Sequence, residues 1–136
     1  MQKYILIPIF LFLACGFAHS HATINIENVA SEDGYIDMSI YMDKESFINN
    51  KPHYNVRKIA TQGVTKFPLK DIHEGKISIF VYHDENNDKK LNTSLFWVPK
   101  EGFGYSNDYI PTGRPKFDKT VIYLNHGIPI NLKMNY

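Results

Sequence analysis

The chain has 136 residues, and its 15 Lys and Arg against 14 Asp and Glu leave a formal net charge of +1. The charges are mixed along the chain without a basic stripe, which excludes the electrostatic footprint of a nucleic-acid binder. The length suits one domain, since single cores occupy about 100–150 residues. Cys15 is the only cysteine, so no disulfide staples the fold.

The first segment reads as a secretory leader. Lys3 supplies the positive start, Tyr4 to Ala14 is an apolar run broken only by Pro8, and small residues follow at Ala14, Cys15, Gly16 and Ala18. Such a run is shorter than the roughly 20 residues of a membrane span, so no transmembrane segment is expected once the leader is removed. Cleavage is expected after Ala22, through Ser20, with a cut after Ala18, through Gly16, as the alternative. This divides the chain into a leader over 1–22 and one domain over 23–136, exported to the periplasm or beyond. A second reading makes Cys15 a lipidated anchor, but Phe12 is a poor fit three positions before such a cysteine.

Beyond the leader, apolar residues recur with period two, the signature of strands. Thr23–Val29 is a first strand and Ser31–Gly34 a turn. Ile36, Met38, Ile40 and Met42 then alternate with Asp37, Ser39 and Tyr41, as in a sheet with one buried face. Asp43 to Lys51 accommodates one helical turn, ended by Asn49-Asn50-Lys51-Pro52. Tyr54–Ala60 is a weak strand, and Val64–Leu69 an edge strand because of Pro68. Ile77 to Tyr82 is apolar on nearly both faces, which predicts a central strand. Residues 84–114 form a long excursion. Phe117–Leu124 and Ile128–Met134 close the domain as two strands joined in a hairpin around Asn125-His126-Gly127. About seven short strands with regular turn signals predict an all-β antiparallel sandwich of immunoglobulin-like or transthyretin-like topology.

The excursion carries the unusual chemistry. Asp84, Asn86, Asp88 and Asn92 have the spacing of oxygen donors in a calcium loop. Against this, Lys89 stands where a glycine makes the sharp turn, and Leu95 stands where a bidentate Glu belongs. Glu101 is the downstream substitute, although spacing does not place it. The competing reading is a polar turn whose side chains bond their own backbone. Further on, Gly102-Phe103-Gly104-Tyr105-Ser106-Asn107 and Trp97 offer stacking surfaces and close backbone approach to a sugar ring or flat apolar ligand; alternatively, these aromatics fold inward and seal the sandwich. His83 is placed to orient the loop or join a site. The histidines lack zinc spacing, and no Gly-x-Ser-x-Gly elbow surrounds Ser106. Asp84 and Glu101 as a glycosidase pair, or His83, Asp84 and Glu101 as a hydrolase site, require a convergence the sequence does not define.

His83-Asp84-Glu85-Asn86, Lys90-Leu91, the run Val98-Pro99-Lys100-Glu101-Gly102-Phe103-Gly104-Tyr105-Ser106-Asn107 and Pro115-Lys116-Phe117 resemble the secreted bacterial family called domain of unknown function 2141. That family usually shows HDENGNGKLD, then PKEGYGFSN, then Pro-x-Phe before a strand. The resemblance implies an exported β-sandwich and carries over no catalytic residues. The chain departs at Asn87, Lys89 and Asn92, where the family tends to have Gly, Gly and Asp, and these changes fall on positions that would support a cation. The expectation is a non-catalytic envelope module whose ligand or protein partner meets loop 84–107 through His83, Trp97, Glu101, Phe103, Tyr105, Ser106 and Asn107. The alternative is a calcium-stabilised structural or adhesion domain using Asp84, Asn86, Asp88 and Asn92.

Overall fold

The computed structural model describes residues 21–96 and 98–136. Residues 1–20 of the expected leader, Cys15 among them, and Trp97 lie outside the described residues. Strands run over β1 (His21–Val29), β2 (Tyr35–Tyr41), β3 (Tyr54–Ile59), β4 (Gly63–Lys70), β5 (Gly75–Asp84), β6 (Phe103–Tyr105), β7 (Ile122–Leu124) and β8 (Ile130–Lys133). Two short helices, α1 (Lys44–Ile48) and α2 (Phe117–Thr120), and a 3-10 turn at Ser106–Asp108 complete the set.

The strands form two sheets, one ordered β4-β1-β8 and the other β3-β2-β5-β6 with β7 also on β5. All pairings are antiparallel except that β8 runs parallel to β1, with Ile24 opposite Ile130. Alternation produces the core directly. Ile24 and Ile26 of β1, Ile36, Met38 and Ile40 of β2, and Ile77, Ile79 and Val81 of β5 meet in one buried cluster with Phe67 and Leu132. Pro68 lies on β4, the edge of its sheet, where a missing N–H breaks no ladder on the open side. Helix α1 begins at Asp43, whose side chain accepts the Ser46 N–H at 2.8 Å.

Three expectations need correction. Phe117–Leu124 is not one strand: α2 occupies Phe117–Thr120 and only Ile122–Leu124 pairs with β5. The cause is Thr120, fully buried, which bonds Ser78 and takes the Ser106 hydroxyl on its carbonyl, curling the chain before it re-enters the sheet. The Asn125–Gly127 turn exists, with Gly127 at φ +77, but it joins strands of different sheets rather than a hairpin, because β7 pairs with β5 and β8 with β1. Finally, β1 starts earlier than expected. His21 and Ala22 pair with Lys70 and Leu69, and Ala22 is buried. The ladder therefore includes two residues that cleavage after Ala22 would remove and cleavage after Ala18 would keep.

Candidate functional site

Because Ile36, Met38, Ile79 and Val81 point into the core, the intervening residues of β2 and β5 build the outer face of the larger sheet, joined there by alternate residues of β3 and β6. That face has a polar end and an aromatic end.

The polar end is organised by Arg57 of β3. Its guanidinium forks to Asp37 and to Asp84 Oδ2, the latter at 2.7 Å, reaches Asn87 Oδ1 at 2.6 Å, and lies 4.3 Å over the Tyr35 ring. Two buried carboxylates thus share one cation, and they share it unequally. Burial raises the Asp37 carboxyl and outweighs the attraction of Arg57, with the Asp84 charge adding to the rise. Burial also acts on Asp84, but there the Arg57 bond and the N–H groups of Lys89 and Asp88 win and hold it below the ordinary carboxylate value. Tyr82, opposite Asp37, is pushed up to about 12 by burial and then by the charges of Asp37 and Asp84.

This arrangement decides how the Asp/Asn loop is used. Asp84 accepts the N–H of Asp88 at 3.0 Å and of Lys89 at 2.9 Å, besides Arg57. Asn86 Oδ1 accepts the Asp88 N–H, and Asp88 Oδ1 accepts the Lys90 N–H. Asn87 and Lys89 sit at φ +60 and +63, so the left-handed bends survive without glycine. Asp84, Asn86, Asp88 and Asn92 therefore do not converge as four free donors: Asp84 is turned to Arg57, Asn86 and Asp88 accept backbone N–H groups of the loop, and the Asn92 amide donates to the carboxylates of Asp88 and Glu101. Among the described residues no group of three or more His, Cys, Asp or Glu is placed to hold a metal ion.

Of the residues expected to meet a ligand, several are turned inward. His83 is fully buried; its Nε2 donates to the Asp33 carbonyl and its Nδ1 accepts from the Tyr136 hydroxyl, each at 2.7 Å, while the Ala30 N–H donates to that hydroxyl. Ser106 is buried and donates to the Thr120 carbonyl. Asn107 is exposed but donates to the Lys119 carbonyl at 3.1 Å. Gly102 and Gly104 do permit close approach, yet what approaches is the domain itself: a side chain at Gly102 would strike the Tyr136 ring, and one at Gly104 the Leu132 side chain and Lys133 carbonyl. His83, Asp84 and Glu101 share no hydrogen bond among the described residues, each facing different partners.

Phe103 and Tyr105 are different. They are half-buried on the outer face, opposite Tyr82 and Phe80 across β5. Phe80 and Tyr105 approach to 4.8 Å between ring centroids, and Phe103 and Tyr105 to 6.4 Å. Burial raises the Tyr105 phenol, with Tyr41 and Tyr109 adding to the rise. These rings floor a groove of about 800 Å³. One wall is a finger at 92–100, closed by Lys100 N–H to Asn92 O and Ser94 N–H to Val98 O, both at 2.8 Å. Its tip is strongly apolar and open, with Leu95 97 % and Phe96 86 % exposed. The opposite wall comes from Ile110, Pro111, Arg114 and Pro115, and among the described residues Arg114 has no ion pair. Sequence reasoning missed this second wall and Phe80. The signal for Phe80 was present, since a strand apolar on both faces must cover something on each.

Two stacked sheets joined by a long crossover define a small all-β domain, and among the described residues no helix is long and apolar enough to cross a membrane. A family model described as an uncharacterized protein conserved in bacteria (DUF2141) matches residues 24–129, from within β1 to the turn before β8. The chain belongs to that family. No curated protein and no solved structure matches the chain.

Proposed function

We propose that the protein is an exported, non-catalytic binding module of the bacterial envelope, and that its groove receives an amphiphile with an apolar body and an anionic end. The observation that carries this reading is the groove itself. Its volume of about 800 Å³ lies within the roughly 300–1,000 Å³ of small-molecule sites, which are mostly apolar with a few polar groups. Phe80, Phe103 and Tyr105 supply the floor, Phe96 and Val98 of the finger one side, and Arg114, without an ion pair among the described residues, the charge complement. A solvent-exposed apolar tip such as Leu95-Phe96 is unfavourable unless something covers it. Export belongs to this reading through the apolar leader, and the immunoglobulin-like or transthyretin-like topology through the two-sheet arrangement.

Calorimetric titration with decanoate tests it. At about 0.5 kcal/mol for each non-hydrogen atom, a dissociation constant on the order of tens of micromolar is expected. A decyl chain on a neutral sugar should bind several-fold more weakly, and Arg114→Gln should erase that difference. Absence of heat with decanoate at millimolar concentration, in protein that melts cooperatively, refutes the reading.

A further inference from the structure

We propose that Asp88, Asn92 and Glu101 form a site for a hard divalent cation of the calcium class at the base of the finger. This goes beyond the amphiphile reading and uses a different donor set from the one that loop spacing suggests.

The carrying observation is Glu101. Only 7 % of this residue is exposed, and its Oε1 is buried without a hydrogen-bond partner among the described residues. Its Oε2 faces the loop, accepting the Asn92 backbone N–H at 2.9 Å and the Asn92 Nδ2 at 3.2 Å. The same Nδ2 donates to Asp88 Oδ2 at 2.9 Å. One neutral amide nitrogen therefore sits between two carboxylates. No Lys, Arg or His is within ion-pair reach of either among the described residues. A buried carboxylate oxygen without a donor is costly, so Glu101 calls for a cation, and the exposed Asp88 carboxylate, which already accepts the Asn86 and Asn92 amides and the Lys90 N–H, lends a second negative charge.

Asp84 and Asn86 are not part of the set. Arg57 already compensates Asp84, and Asn86 Oδ1 is committed to the Asp88 N–H. Rotating the Asn92 amide by half a turn exchanges Nδ2 for Oδ1 between the carboxylates. That orientation is repulsive without a cation and favourable with one. Asp88 Oδ2, Asn92 Oδ1 and both Glu101 oxygens then face the ion, and water fills the remaining positions of a six- to eight-oxygen shell. With two carboxylates only, affinity belongs to the extracellular range of roughly 0.1–1 mM. The consequence is mechanical: Asn92 and Lys100 close the finger, so an ion held between Asn92 and Glu101 fastens the groove wall to the segment that enters β6.

The test is calcium chloride added to chelator-treated protein, read by thermal melting and by the side-chain amide resonances of Asn92. A rise in melting midpoint of about 5 °C at concentrations well above the dissociation constant is expected, with the Asn92 amide signals moving in the same range. Glu101→Gln should abolish both responses; should that variant fail to fold, Asp88→Asn serves the same purpose. The proposal is overturned if calcium and magnesium leave the midpoint and the Asn92 signals unchanged, or if Glu101→Gln responds like the parent. Decanoate binding measured in chelator separates this result from the amphiphile reading, because the groove floor of Phe80, Phe103 and Tyr105 does not depend on the ion.

Discussion

The two ends of one sheet face have opposite solutions to the same problem. At the end holding Tyr35, Asp37 and Asp84, the two buried carboxylates are matched from within the chain by Arg57 forked between them. At the end holding Phe80, Phe103 and Tyr105, the chain folds two walls over the rings yet leaves the space between them open. The difference teaches that the long excursion is not uniformly functional. Its first part, 84–89, locks structure through Arg57, and its second part, 92–115, shapes a cavity. The aromatic end is where an external molecule has something to gain.

Breaking the polar end gives the largest expected effect. Arg57→Leu leaves Asp37 and Asp84 buried against each other, and removing one partner of a buried ionic set costs about 3–5 kcal/mol. Urea denaturation should show that loss, and Arg57→Lys should restore little of it because an ammonium cannot fork. A loss below about 1 kcal/mol would mean that the network is solvated rather than structural. Next comes Gly34, at φ +66, whose missing side chain leaves room for the Asp84 carbonyl. Gly34→Ala combines a left-handed penalty with a clash against backbone, and should cost about 2–4 kcal/mol in the same assay.

Most of the strand framework was readable because period two is an unambiguous signal over six or more residues. Pro68 marked an edge for a local reason, and Asp43 with Pro52 bracketed α1 for local reasons as well. The failures were non-local. Phe117–Thr120 is too short for periodicity to separate helix from strand, and what curls it is bonding of Thr120 to Ser78 and Ser106, residues distant in sequence. A turn at Gly127 was evident, but no turn signal says which sheet the next strand joins. At the site, Phe103 and Tyr105 were legible as aromatics beside glycines. Nothing in composition revealed that Gly102 and Gly104 face Tyr136 and Leu132, or that Arg57 lies beside Asp84. Spacing alone did not place Glu101, which the structure brings to Asn92.

Smaller effects sharpen the contrast. Because Phe96 is exposed, Phe96→Ser should change stability by less than about 0.5 kcal/mol, while weakening decanoate binding several-fold by calorimetry. Equal binding would detach the finger from the groove. The mildest effect is alkaline. The raised Tyr82 phenol contributes stability that is complete below the ordinary tyrosine value of about 10 and is lost as pH climbs through about 12. Near-ultraviolet absorbance should therefore show Tyr82, and Tyr105 with it, ionising after the exposed tyrosines. Tyr82→Phe should remove one late proton and flatten the decline in stability between those pH values. Simultaneous ionisation of all tyrosines would contradict the burial of this face.

The most direct measurement is an amide chemical-shift map of the isotope-labelled protein titrated with decanoate. Binding at the aromatic end predicts movement at Thr93, Phe96, Phe103, Tyr105 and Gly113, with Arg57, Asp84 and Lys89 unmoved. A map without movement, or one gathered around Arg57, would contradict the division of this face into a locked end and a receiving end.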